Sequence, residues 1–148
     1  MGRNMVEKFD ITGIGNAIVD VIADVNDDFL ENNNLRKGLM SLVDLESIKS
    51  ISKNIEIKAT VSGGSVANSI VALAQNNIKT AFIGKVGKDK VGNSFIEGLK
   101  KEQVTFASTA NTDESETGRC LVMVTPDAQR TMSTYLGISQ KLAANDID

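Results

Sequence analysis

Histidine is absent from the 148 residues, which removes Ser-His-Asp hydrolysis, His-ligated zinc and imidazole acid/base work together. Any chemistry must use carboxylates, hydroxyls, backbone amides, lysine or arginine. The single cysteine, Cys120, cannot form an internal disulfide. It sits in an apolar run with no histidine to activate it, so it reads as a small core or pocket residue and not a nucleophile. No apolar run approaches the length that crosses a bilayer. The longest, Ala17 to Val25, is interrupted by Asp20 and Asp24, and the start Met1-Gly2-Arg3-Asn4 lacks a signal-peptide core. These features point to a cytoplasmic chain with no membrane partner. Basic runs are missing too. With Lys+Arg 16 against Asp+Glu 19 the net charge is -3, so the footprint of a nucleic-acid binder is not there.

What is present is enough for a globular domain: 41% of the residues are hydrophobic. Ile11 to Gly15 and Ala17 to Val25 read as strands, the second placing Ile18, Asp20, Ile22 and Asp24 on one face. A short helix is expected in Asp27 to Arg36, an extended run at Leu39 to Val43, and a helix near Leu45 to Ser52. Ala59 to Val61 is extended and breaks at Ser62-Gly63-Gly64-Ser65 into a helix carrying Val66, Ile70, Leu73 and Ala74, with Asn68 off the apolar stripe. Thr80 to Ile83 and a helix from about Asp89 form a second strand-helix unit, with Val91, Phe95 and Leu99 on one face. After a short strand near Val104 to Phe106, Arg119 to Thr125 and Thr131 to Leu136 flank the turn Pro126-Asp127-Ala128-Gln129 as a hairpin. The alternation predicts a layered α/β fold with a largely parallel sheet and an added antiparallel element. The closing Asn145-Asp146-Ile147-Asp148 resembles a helix start with no helix after it, as if the sequence were cut off.

Two features could carry chemistry. In Ser62 to Ser69 the paired glycines let a ligand approach the backbone, and a helix N-terminus supplies free N-H groups. The residues alone leave open whether Gly63-Gly64 is a ligand cradle or only a tight connection with Asn68 solvated. A carboxylate at Asp20, between Ile18 and Ile22, is costly to bury unless something donates hydrogen bonds to it, and a sugar diol would. An edge-strand aspartate facing water, or one paired with lysine, is the bland alternative. Gly13-Ile14-Gly15-Asn16 lacks the third glycine and the following helix of a dinucleotide fingerprint. Gly84-Lys85-Val86-Gly87-Lys88-Asp89 has the wrong spacing for a P-loop. Arg130, after the hairpin turn, could reach an anion through its fork of donors, although a lone exposed arginine usually carries no function.

Taken in order, Gly13 to Asp20, Ser62 to Asn68, Phe82 to Asp89 and Thr117 to Cys120 resemble the ribokinase-like (PfkB) carbohydrate kinases, and most the adenosine kinase branch. The resemblance covers nearly the whole chain and is most specific at the glycine-pair helix and the Gly-Lys-Val-Gly-Lys-Asp segment. It implies a ribokinase-like layered sheet with helices on both faces and a small antiparallel β lid, made of strands at about 16–25, 38–43, 59–62 and 119–136. It implies that Asp20 and Asn68 hydrogen-bond the sugar hydroxyls and that Asn16 helps position Asp20. Gly63 and Gly64 give room beside the ring, with Ser65 in the same substrate-binding turn. Met40 and Leu42 lie on a lid strand over the substrate, Met132, Thr134 and Leu136 line the pocket wall, and Arg130 contacts the transferred phosphate. The family's Gly-Ala-Gly-Asp segment, which supplies anion hole and base, is missing here. The 148 residues are therefore expected to be the N-terminal, substrate-binding half, with no catalytic base and no metal ligands. ATP and Mg2+ would serve the full-length protein and bind this chain poorly, leaving it inactive alone. The expected substrate is a nucleoside, adenosine first, or a simple sugar or ketose acid. The cut would leave lid strands and a sheet edge prone to self-association. The rivals are a non-catalytic sugar- or nucleoside-binding module and, on Gly13 and Gly15, an NAD-dependent oxidoreductase.

Overall fold

The computed structural model describes residues 8–108 and 115–147. Two sheets divide the strands. The first is parallel, in the order β1 (Ile11–Ile14), β5 (Thr80–Ile83), β6 (Thr105–Phe106). The second has five strands, in the order β3 (Met40–Leu42), β8 (Arg130–Tyr135), β7 (Gly118–Val124), β2 (Ile18–Asp24), β4 (Ile57–Gly63). Its neighbours alternate: β3 runs parallel to β8, β8 antiparallel to β7, β7 parallel to β2 and β2 antiparallel to β4. This sheet is built from the segments near 16–25, 38–43, 59–62 and 119–136 and is mixed where an antiparallel element is expected, because β2 and β7 pair side by side in the same direction.

Four helices pack on these sheets: α1 (Asp27–Asn32), α2 (Leu45–Ser52), α3 (Ser65–Ala74) and α4 (Lys90–Lys101). Three begin with a side-chain cap, in which Asn26, Asp44 and Asp89 accept from the backbone N-H three residues on. The fourth, α3, begins at Gly64 with no side-chain cap. One core joins α3 and α4 to the parallel sheet, with Phe82, Phe95 and Leu99 wholly buried. Phe82, Phe95 and Phe106 form a ring cluster with centroids 5.7 to 6.4 Å apart. A second core lies under the mixed sheet, where Leu121 and Met123 meet Leu30 of α1 and Ile48 and Ile51 of α2. Val21 touches both cores, so β2 ties the two layers together.

At the C-terminal end the expected helix start is a short 3-10 turn, Ala144–Asp146, whose Asp146 forms a half-buried ion pair with Lys85 at 2.7 Å. Among the described residues no helix is long and apolar enough to cross a membrane.

Candidate substrate site

Partners in register on a sheet project to the same side, and this places the candidate residues on one face of the mixed sheet. Asp20 is opposite Val61 on β4 and Cys120 on β7, Cys120 is opposite Thr134 on β8, and Thr134 is opposite Leu42 on β3. One row therefore reads Val61, Asp20, Cys120, Thr134, Leu42. The next row outward reads Ala59, Ile22, Val122, Met132, Met40. The opposite face carries Val19, Leu121, Met123 and Ser133, all buried against the helices. The site face is covered along its interior strands and open at its edges: Cys120 on β7 and Thr134 on β8 are buried, whereas Val61 on β4 and Met40 and Leu42 on β3 are 47%, 55% and 63% exposed.

Asp20 is half-buried on an interior strand, so it is not the edge aspartate of the bland alternative. Among the described residues no lysine or arginine pairs with it. Burial alone pushes its pKa above the ordinary 3.8. Its carboxyl group lies directly over Gly63: a Cβ there would come within 2.4 Å of Asp20 Cγ and Oδ2. Gly64 follows with φ +101 and ψ 137, a conformation open to glycine and strained for other residues. A Cβ on Gly64 would meet the Asn16 carbonyl at 2.7 Å, so the exposed Asn16 enters the site through its backbone, packed under the glycine turn. The first N-H groups of α3, beginning at Ser65, point from this turn without a side-chain acceptor. A carboxylate lacking protein donors thus stands beside amides lacking a side-chain acceptor. The pair matches a neutral polyhydroxyl ligand, which both donates and accepts.

Not every expected residue joins the row. Asn68 is exposed on α3 and lines a cleft of about 350 Å³ between β4, α3 and α4, which meets the row at Val61. Arg130 shares the open face but stands opposite Val124, four residues from Thr134, or about 13 Å along the strand. Leu136 follows β8, and its carbonyl packs on Gly118. Cys120 was read from sequence only as core or pocket. Its sulfur, beside Asp20, accepts a hydrogen bond from Thr134 Oγ1 at 3.2 Å, and burial raises the thiol pKa. Ile22, which alternation already sets on the face of Asp20, and Val122 share the open face; Val122 is the residue sequence reasoning missed, and the alternation phase of β7 would find it.

Comparison with known proteins shows the family and the fold. A family model described as pfkB family carbohydrate kinase matches residues 41–147. The ribokinase of Mus musculus is 32% identical over 85 residues, which is 57% of this chain and 26% of that protein. The ribokinase of Staphylococcus aureus (strain COL) is 28% identical over 92 residues, 62% of this chain and 30% of that protein. Among solved structures, the adenosine kinase from Sinorhizobium meliloti matches with TM-score 0.85 and 34% identity, covering 96% of this chain and 43% of its own. A probable sugar kinase from Rhizobium etli CFN 42 matches with TM-score 0.85 and 33% identity, covering 95% and 42%. The chain therefore spans less than a third of these curated relatives and under half of the solved structures it matches. Its fold is that of the ribokinase-like adenosine kinases, and the chain belongs to the PfkB family of carbohydrate kinases.

Proposed function

We propose that this chain is the substrate-binding part of an enzyme that transfers the γ-phosphate of ATP to the hydroxymethyl group of a nucleoside, adenosine before a simple sugar. The observation that carries the reading is the Asp20 carboxylate, half-buried over Gly63 and without a donor among the described residues. Ring hydroxyls supply the missing donors, and the α3 N-terminal amides and Asn68 supply the complementary contacts. The apolar outer row, Ile22, Val122, Met132 and Met40, suits a flat hydrophobic group attached to the sugar, which favours a nucleoside over a bare sugar. In this reading the mixed sheet acts as a lid over the ligand, and Arg130, beyond the apolar row and about 13 Å along the strand from Thr134, is left without a phosphate contact.

ATP and Mg2+ are the family's phosphate donor and metal. Among the described residues no three His, Cys, Asp or Glu side chains converge. Donor, metal and general base are assigned to the rest of a complete enzyme, and this chain alone is assigned binding without turnover.

The test is phosphoryl transfer by the complete gene product with Mg-ATP and a panel of nucleosides and sugars. The expected result is phosphorylation of adenosine, with Asp20→Asn weakening substrate binding about 10- to 100-fold. Absence of turnover across the panel, or an Asp20→Asn protein with unchanged KM and kcat, would overturn it.

A further inference from the structure

The segment Gly84 to Asp89 carries much of the family pattern, yet none of its side chains belongs to the row around Asp20. Its last residue reaches the site from behind. Asp89 Oδ1 accepts from Gly92 N-H at 2.7 Å, which caps α4, and also from Thr117 Oγ1 at 2.7 Å. Asp89 Oδ2 accepts from Thr117 N-H at 2.9 Å, and Thr117 Oγ1 accepts in turn from Gly87 N-H at 2.8 Å. Thr117 is wholly buried. One carboxylate therefore holds both polar hydrogens of a residue that immediately precedes β7. Burial pushes the Asp89 pKa up, but the hydrogen bonds from Thr117 and Gly92, with Arg119 nearby, hold it below the ordinary value.

The next residue explains why that matters. Gly118 pairs with Ile18, and a Cβ there would come within 2.5 Å of Ile18 Cδ1, 2.6 Å of the Leu136 carbonyl and 3.1 Å of the Ala17 carbonyl. Only a glycine fits the slot where β2, β7 and the end of β8 meet. A slip of one residue would push Thr117 or Arg119 into it and turn every β7 side chain to the other face. Cys120 and Thr134 stand beside Asp20 only in the observed register.

We infer that Asp89 is a positioning residue of the substrate site, acting through Thr117 to fix the register of β7 against β2 beside Asp20. This rests on the substrate reading above. Asp89→Asn is a selective probe, because asparagine still caps α4 while its amide nitrogen opposes the Thr117 N-H, donor against donor. Thr117→Val removes the hydroxyl arm, and Thr117→Ser restores it.

The experiment follows amide hydrogen exchange along β7 in the 148-residue chain, with global stability from denaturant unfolding and adenosine affinity from calorimetry. Asp89→Asn and Thr117→Val should each lower protection of the Thr117 to Leu121 amides about tenfold beyond the global change. Adenosine affinity should fall by a similar factor, the double variant should be no worse than the worse single variant, and Thr117→Ser should behave as wild type. Uniform loss of protection that tracks global stability, additive single effects, or unchanged adenosine affinity in Asp89→Asn would overturn the inference. A wild-type chain that ignores adenosine would overturn the substrate reading instead, and the exchange pattern would still decide whether the clamp exists.

Discussion

Burial of Asp20 between Ile18 and Ile22 raises its pKa, so the folded chain holds that proton more tightly than the unfolded one. Stability from the protonated form is complete below the unfolded value near 3.8 and is lost as pH rises through the folded value. At neutral pH the bare carboxylate is a net cost that a ligand would relieve. Asp20→Asn should therefore raise the melting temperature at pH 7 more than at pH 3, while weakening the adenosine response; a lower melting temperature at pH 7 would contradict this. Gly63→Ala tests the same contact from the other side. Its methyl group would occupy the space of the carboxyl group, and calorimetry should show affinity reduced by more than about tenfold for a stability cost of about 1–3 kcal/mol. Both residues were legible in the sequence as an unusual strand aspartate and a paired glycine. Their contact was not, because it depends on the antiparallel register of β2 and β4, which no local pattern encodes.

Among the elements, the ones with a strong period or a cap were the readable ones. Leu45–Ser52 and Thr80–Ile83 have the expected bounds, and α4 begins after its capping Asp89 with Phe95 and Leu99 buried as its period predicts. The edge strand β4 is longer than expected, Ile57–Gly63. Most of it is exposed on both faces, so alternation is blurred, and a register shift opposite Ile22 and Ala23 hides its start. The hairpin of β7 and β8 was legible from Pro126-Asp127, but its anchoring was not. Lys37 bridges Asp27 at 2.7 Å and Asp127 at 2.8 Å, tying the hairpin tip to the chain before β3. Hydrogen bonds from Lys37 and Thr125 lower the Asp127 pKa to about 2. A lowered carboxylate pKa contributes stability above the unfolded value that is lost as pH falls from about 4 toward 2. Protection of the Gly38 and Gln129 amides, relative to their intrinsic exchange at each pH, should fall over that window, less steeply at high salt because the pair is partly exposed; unchanged protection across it would refute this.

At the scale of the whole molecule, the alternation of strands and helices indicated a largely parallel sheet with an added antiparallel element, but not which strands the division assigns to each sheet. That division turns on β2 leaving β1 after Gly15-Asn16-Ala17 to pair with β7 about a hundred residues away. It also leaves an open face bearing Met40, Leu42 and Val61, with Ile11 and Ile14 exposed on β1. Apolar surface of this kind favours association. Sedimentation is expected to show oligomers growing with concentration and reduced by adenosine, if the ligand covers the same face; a monomer at every concentration would contradict this. The central claim is that one face of the mixed sheet, organised around Asp20, binds a nucleoside. Its most direct test is a titration of adenosine into the isotopically labelled chain, read residue by residue by NMR. The account predicts shifts concentrated at Asp20, Gly63, Gly64, Asn68, Cys120 and Thr134 that vanish in Asp20→Asn. Shifts scattered elsewhere, or unchanged in that variant, would contradict it.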